Sequence, residues 1–348
     1  MRIFGMIALT FASCSIFFGQ MPGHAQTITM GQPPQNNYIL YLEQLNNSPM
    51  QKAALDPNSL DIIQLLANLE AARGDTERRA ATVALVNAAK NSPLDPTRSP
   101  ILLDAYLRAI DFSVTQQDFV KSINLSNDII RAYQIRQCDA CSALWRVYLR
   151  RGISRFQEGI SNPPRGSDWS KPADVAFWVD AIIDLRKARQ IYGRPRSLDD
   201  PDYYGIVAWD LAVNGYVDAK QRIDSQLENL RTYNIINPSA NIVNTYSPDS
   251  IRCAQYGRAT PNIDMSTNPA SRNLLFGGAV ALYDLGVDGR PANIRLVSLI
   301  PDPALTKQAV EAIAGFHFAI SAEIVPENCR FNRVGVIKFS SNLPYVAR

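Results

Sequence analysis

The hydrophobic positions of this chain follow two periods, one typical of helices and one typical of strands. From residue 56 to residue 233, apolar residues recur at spacings of three and four, in helix-sized segments separated by Gly, Pro or Asp-Pro. Nearer the C terminus the period changes to two in three short runs. The pattern predicts an α+β chain, with an all-α part followed by a small mixed α+β part.

The helical part is predicted to be an array of helical hairpins, because helix-sized segments follow one another with short turns between them. The segments predicted to be helical are Tyr38–Leu45, Ser59–Arg73, Thr76–Lys90, Pro100–Ser113, Gln116–Tyr133, Cys141–Gln157, Ala173–Tyr192, Tyr203–Asn214 and Val217–Tyr233.

Two of the helix pairs resemble tetratricopeptide repeats. In the first pair Asp56–Asn58 leads to a turn at Gly74–Asp75, and in the second Asp200–Asp202 leads to a predicted turn at Asn214–Tyr216. Small residues such as Ala80 follow the turn, where two helices pack closely. Generic helical hairpins remain the alternative, and the repeat-like interpretation is favoured. It implies a curved array with a concave face that binds a peptide or a protein.

The C-terminal part is predicted to contain two strands, a helix and a final strand. Gly278–Asp284 and Ala292–Ser298 alternate, and Val287–Arg290 between them supplies an Asp-Gly turn. Pro303–Gly315 is predicted to be a helix and Arg333–Phe339 the last strand. The apolar stripe of that helix consists of Leu305, Ala309, Ala312 and Ile313.

The order of these elements, the Val-Asp-Gly turn and Phe316–Phe318 after the helix resemble the C-terminal domain of the TonB family, over residues 273–340. The resemblance implies a domain that binds partners and catalyses no reaction. In the family the last strand pairs with a short extended segment of outer-membrane transporters, by β-augmentation. The partner-binding edge that it implies here consists of Val334, Val336, Ile337 and Phe339.

Four departures from the TonB pattern argue against energy transduction. The N-terminal leader is predicted to be cleaved, and a helical array stands where the family has a Pro-rich charged spacer. The Tyr-Pro that often precedes the first strand is absent. Ala319-Ile320 replaces the Pro expected after the Phe-x-Phe pattern.

The first residues predict export. An apolar run over Ile3–Gly19 is followed by Gly23-His-Ala25, with small residues where signal peptidase requires them, so cleavage is predicted after Ala25. One alternative is an uncleaved inner-membrane anchor that faces the periplasm, and a lipoprotein box at Phe11–Cys14 ranks last. The predicted location is the periplasm, with membrane contact only if the leader is retained.

The predicted organisation is a signal peptide over residues 1–25, a leader with a first short helix over 26–55, the helical domain over 56–233, a linker over 234–270 and the TonB-like domain over 271–348. The linker is rich in Asn, Ser, Pro and Thr, and Pro261 and Pro269 argue against a regular element within it.

The cysteines agree with an oxidising compartment. Four remain after the predicted cleavage, and pairing neighbours gives Cys138–Cys141 and Cys253–Cys329, one of about three connectivities that four cysteines allow. Four free, buried thiols are the alternative. Cys138-Asp-Ala-Cys141 also has the spacing of a redox dithiol, but helices are predicted on both sides, which favours a structural disulfide.

Composition and motifs give little support to catalysis. The net charge of +3 is too small to indicate nucleic acid as a partner. No cofactor motif or metal-ligand spacing is found, and His317 is the single histidine after the predicted cleavage. The basic residues Arg146, Arg150 and Arg151 are predicted to form a solvated face.

The sequence therefore predicts a non-enzymatic periplasmic adaptor for protein partners, an outer-membrane transporter or another envelope protein. The alternatives are an anchored TonB-type energy transducer and a thiol-disulfide oxidoreductase that uses Cys138 and Cys141.

Overall fold

The computed structural model describes residues 37–138, 141–162, 172–223, 259–261, 276–300, 305–318 and 325–340. These residues form a set of helices followed by a small antiparallel sheet, which confirms the predicted α+β class. The predicted signal peptide and most of the predicted linker lie outside the described residues. In the described part of the chain, no helix is both long and apolar enough to cross a bilayer.

The helices of the first part are α1 Asn37–Asn47, α2 Pro49–Ala53, α3 Pro57–Ala71, α4 Asp75–Asn91, α5 Pro100–Thr115, α6 Phe119–Ile135, α7 Leu144–Ser161, α8 Pro172–Tyr192 and α9 Pro201–Ile223. The remaining elements are β1 Ala259–Pro261, β2 Phe276–Leu285, β3 Pro291–Ile300, α10 Thr306–Ala314, β4 Phe316–Phe318, α11 Glu327–Arg330 and β5 Arg333–Ser340.

The helices stack as an array. Each helix from α3 to α9 packs on the next, and α3, α5, α7 and α9 also pack on one another in series. A stack of helical hairpins produces this second series, because the first helices of successive hairpins form one layer. The predicted helical-hairpin arrangement is therefore present.

Two turns of the array use glutamine where a glycine is usual. Gln117 ends the turn after α5 and Gln137 the turn after α6, both with left-handed φ values, of 59° and 55°. The Asp118 N–H donates to the Ser113 carbonyl at 2.8 Å, and the Cys138 N–H donates to the Tyr133 carbonyl at 3.0 Å. These bonds close Schellman-type caps. The helices α5 and α6 therefore end at these turns although neither turn contains a glycine.

The predicted helix break at Asn214–Tyr216 is wrong, because α9 runs without interruption from Pro201 to Ile223. The side-chain amide of Asn214 donates to the Asp210 carbonyl at 2.6 Å and to the Asp210 carboxylate at 2.9 Å, within the helix. A Cβ on Gly215 would overlap the carbonyl oxygen of Phe339 in β5. Gly215 therefore permits close packing on the sheet and does not make a turn.

The sheet has the strand order β3-β2-β5, all antiparallel, with α9 on one face and α10 on the other. The predicted stripe of α10 is confirmed: Leu305, Ala309, Ala312 and Ile313 are all buried against the sheet. The predicted turn between β2 and β3 is confirmed as well, since the Gly286 N–H donates to the Arg290 carbonyl at 2.8 Å.

A short strand lies within the predicted linker, so the expectation that Pro261 excludes a regular element is wrong. Ala259–Pro261 pairs antiparallel with Phe316–Phe318, with Pro261 opposite Phe316. Proline is tolerated there because it ends a two-stranded ribbon and does not have to donate to a further strand.

Aromatic side chains join the sheet to the array. Phe276, the first residue of β2, lies with its ring 5.6 Å from that of Phe156 in α7 and 5.1 Å from that of Tyr216 in α9. Trp178 of α8 lies 5.4 Å from Tyr216, and all these pairs meet edge to face. The core of the helical array therefore extends to Phe276 at the start of the sheet.

Candidate functional site

The predicted partner-binding residues lie in β5, which is an edge strand. β5 pairs with β2 without a register shift, from Phe276 opposite Ser340 to Tyr283 opposite Arg333. Within the described part of the chain, β5 has a strand on one side only. Its other side presents backbone N–H and C=O groups in the row that another strand requires.

The four predicted side chains are divided between the two faces of the sheet. Val334 and Val336 pack toward α9, whereas Ile337 and Phe339 belong to the cluster under α10. Val336, Ile337 and Phe339 are buried, and Val334 is partly buried. These side chains therefore hold the strand in place, and the group left for a partner is the backbone of the outer edge.

The opposite edge of the sheet, β3, is much less regular. Its pairing with β2 contains two register shifts. The strand begins with Pro291, Asn293 has a left-handed φ of 52°, and the side chain of Arg295 is 57% exposed. Proline, bulges and an exposed charge are the devices with which edge strands avoid pairing with other chains. The two edges of the sheet therefore differ: β5 has no proline and no register shift, and its charged residues, Arg333 and Lys338, are partly buried.

The start of β5 is anchored by Arg333. Its guanidinium lies 4.7 Å from the ring centre of Phe318 and donates to the Cys329 carbonyl at 3.2 Å. Tyr283, opposite Arg333 on β2, is buried, and burial raises the pKa of its hydroxyl to about 12 although Arg333 acts to lower it. A cation–π contact and a buried tyrosine fix the first residue of the edge.

The cysteine pair Cys138–Cys141 is disulfide-bonded, with the Cα atoms 5.4 Å apart. It connects the end of α6 to the residues just before α7. The cation nearest in sequence, Arg136, is held at 2.8 Å by the Asp95 carboxylate, so its charge is shared with that acid. Cys329 is disulfide-bonded as well, and its predicted partner Cys253 lies outside the described residues.

The prediction that Arg150 and Arg151 form a solvated face is wrong. Arg150 is only 4% exposed and binds the Asp111 carboxylate through two bonds of 2.6 and 2.8 Å. Arg151 binds Asp184 of α8 at 2.8 and 2.6 Å. The two arginines connect α7 to α5 and α8, where burial makes paired charges necessary.

The single histidine that would remain after the predicted cleavage lies in the two-stranded ribbon. His317 lies in β4 opposite Thr260. In the described ranges, no group of three or more His, Cys, Asp or Glu side chains is arranged to hold a metal ion.

The chain was compared with known proteins at three levels. No protein-family model, no curated protein and no solved structure matches it. The function is therefore inferred from the physical features of the edge strand.

Proposed function

We propose that this protein is an exported, non-enzymatic adaptor that captures an extended segment of an envelope protein on the outer edge of β5. The captured segment adds a strand to the sheet and bonds to the backbone of β5, which is β-augmentation. An outer-membrane transporter is the partner class that the resemblance to the TonB family implies.

The observation that carries the proposal is the difference between the two edges. β3 has Pro291, two register shifts and an exposed arginine, whereas β5 pairs with β2 over its whole length without a shift. An edge without these protections is a liability unless it is meant to pair. Capture of a partner strand accounts for the regularity of β5.

The packing of β5 also favours strand capture. The strand is held on one face through Val336 and on the other through Ile337 and Phe339, all three of them buried. A partner segment then has to lose its own conformational freedom, but β5 has little left to lose.

The test uses two proline variants of neighbouring residues, Val336→Pro and Ile337→Pro. Successive residues of a strand direct their N–H groups to opposite sides, so one of the two donates toward β2 and the other toward solvent. The Gly286 N–H bonds to the Arg290 carbonyl, so the even-numbered residues of β2 bond toward β3 and the odd-numbered ones toward β5. Ile337, opposite Ala279, therefore donates toward β2, and Val336 donates toward the outer edge. Ile337→Pro should disrupt the sheet, and Val336→Pro should leave it folded while removing one donor from the outer edge.

Displayed peptides selected on the wild-type protein supply the ligand, and circular dichroism identifies the variant that stays folded. We expect the selected peptides to lose binding to that folded variant. Undiminished binding would overturn the proposed site.

The compartment is tested separately by the intact mass of the native protein after cell fractionation. We expect a soluble periplasmic species that begins at Gln26. A full-length species in the inner membrane would instead support the anchored energy transducer.

A further inference from the structure

Helix α9 belongs to two cores at once. The residues that it contributes to the core of the helical array are Ile206, Val213, Tyr216 and Val217. The residues that it contributes to the core beneath the sheet are Tyr203, Tyr204, Val207, Ala208, Leu211 and Ala212. The same helix therefore closes the end of the array and covers one face of the sheet.

Two glycines bring the backbones of α9 and the sheet into direct contact. A Cβ on Gly215 of α9 would overlap the Phe339 carbonyl oxygen and lie 3.2 Å from the carbonyl carbon. A Cβ on Gly278 of β2 would overlap the Ala208 carbonyl oxygen of α9. Backbone atoms cannot rotate away as side chains do, so these contacts fix the distance between the helix and both strands.

Each glycine stands where glycine is otherwise unfavourable. Gly215 lies inside a helix of 23 residues and Gly278 inside a strand of 10 residues. Glycine weakens both kinds of element, because it loses more conformational freedom on folding than other residues. The close approach of the two backbones accounts for both positions.

Resting on the proposed capture at β5, we infer that α9 is the positioning element of that site and that Gly215 is its positioning residue. Phe339, whose carbonyl contacts Gly215, is one of the residues of the edge. The position of β5, and with it the alignment of its outer N–H and C=O groups, follows the position of α9.

The test is Gly215→Ala in the full chain, with Gly74→Ala as the matched control. Gly74 precedes α4, and a Cβ there meets no atom within 4 Å. Alanine favours helix over glycine, so Gly215→Ala improves α9 itself while displacing the strand beside it. Because the overlap also lowers stability, binding and the amide resonances of β5 are measured at a temperature where the variant is fully folded, which separates positioning from general destabilisation.

We expect Gly215→Ala to bind the selected peptides about tenfold more weakly, a loss of about 1.4 kcal/mol of binding free energy. The amide resonances of β5 should shift in its nuclear magnetic resonance spectrum, and Gly74→Ala should match the wild type in both measurements. Leu211→Ala leaves a cavity between α9 and the sheet, whereas Gly215→Ala creates an overlap. We expect Leu211→Ala to weaken binding too.

Two results have to be kept apart. Peptides whose binding ignores the proline variants of β5 would refute the edge site itself. Peptides that depend on the edge but bind Gly215→Ala and Leu211→Ala as tightly as the wild type, with unshifted β5 resonances, would refute only the role of α9.

Discussion

Asp184→Asn is expected to destabilise the protein strongly, because Asp184 neutralises two arginines inside the helical array. Its carboxylate accepts bonds of 2.8 and 2.6 Å from Arg151 and one of 2.9 Å from Arg155. The side chain of Asp184 is only 1% exposed, and those of Arg151 and Arg155 are 14% and 18% exposed. Asparagine keeps the shape of the side chain and removes the charge.

The size of the expected loss in folding free energy depends on the partners that Arg151 and Arg155 keep after the substitution. Removing one partner of a buried ion pair costs about 3–5 kcal/mol, since the remaining charge stays buried. Arg151 keeps a bond of 2.7 Å to Asn127, and Arg155 keeps Asp180 at 3.5 Å. We therefore expect the lower end of the range, about 3 kcal/mol. At about 2–4 °C per kcal/mol, this loss corresponds to a melting temperature lower by about 6–12 °C.

Urea unfolding followed by circular dichroism measures the free energy of unfolding directly. The matched control is Glu311→Gln, which makes the same chemical change in an ion pair with Lys307 whose side chains are 63% and 83% exposed. An exposed helical pair contributes about 0.3–0.5 kcal/mol. If Asp184→Asn and Glu311→Gln have equal unfolding midpoints, the ion pairs of Asp184 contribute no more stability than an exposed pair, and the expected loss is refuted.

Three further predictions concern a turn, a buried tyrosine and a disulfide. Gln117→Gly should stabilise the protein by about 0.5–1 kcal/mol in urea unfolding, because Gln117 has a left-handed φ of 59°; the same change at Gln64, inside α3, should destabilise it. The pKa of Tyr283 is raised by burial to about 12, so the free energy of unfolding should fall as the pH rises from about 10, where unfolded tyrosine ionises, through 12. Tyr283→Phe should make that fall shallower, and an unchanged slope would contradict the assignment. Replacing Cys138 and Cys141 by serine should lower the free energy of unfolding by about 2 kcal/mol at most, because the closed loop is short. The native protein should show no insulin reduction.

The periodic parts of the fold were predictable from the sequence. The stripe of α10 records which side of the helix is buried, and that information is local. The alternation in β2 and β3 identified both as strands, although β2 is buried on both faces. Helix ends were predicted less well. The turns at Gln117 and Gln137 use residues that carry no turn signal, since their conformation is imposed by the packing of the next helix.

The wrong predictions share one physical cause. The type of a residue does not determine which residue it contacts in the folded protein. Gly215 was compatible with a turn and with a close approach, and only the presence of β5 decides between them. Arg151 was compatible with solvent and with the buried carboxylate of Asp184 from α8. A signal for the second case did exist: Asp184 lies among the buried residues Ala181, Leu185 and Ala188, within an apolar stripe. A charge within such a stripe indicates a buried partner.

For the candidate site, the sequence located the strand but not the role of its side chains. The apolar residues of β5 fall on both faces of the strand, which indicates burial on both sides, and the strand order β3-β2-β5 places it at an edge. Whether Val336 or Phe339 meets a partner depends on what covers the two faces. Here α9 and α10 cover them, and the side chains are used inside the protein.

The shared helix α9 also has a consequence for biosynthesis. Its sheet-facing surface, which includes Tyr204, Val207 and Leu211, is buried by strands that extend to residue 340. The last of those strands, β5, leaves the ribosome, and crosses the membrane if the protein is exported, more than a hundred residues after α9 begins. The last helix of the array therefore keeps an apolar surface exposed until almost the whole chain is available, which makes it the segment that most needs protection by a chaperone during synthesis.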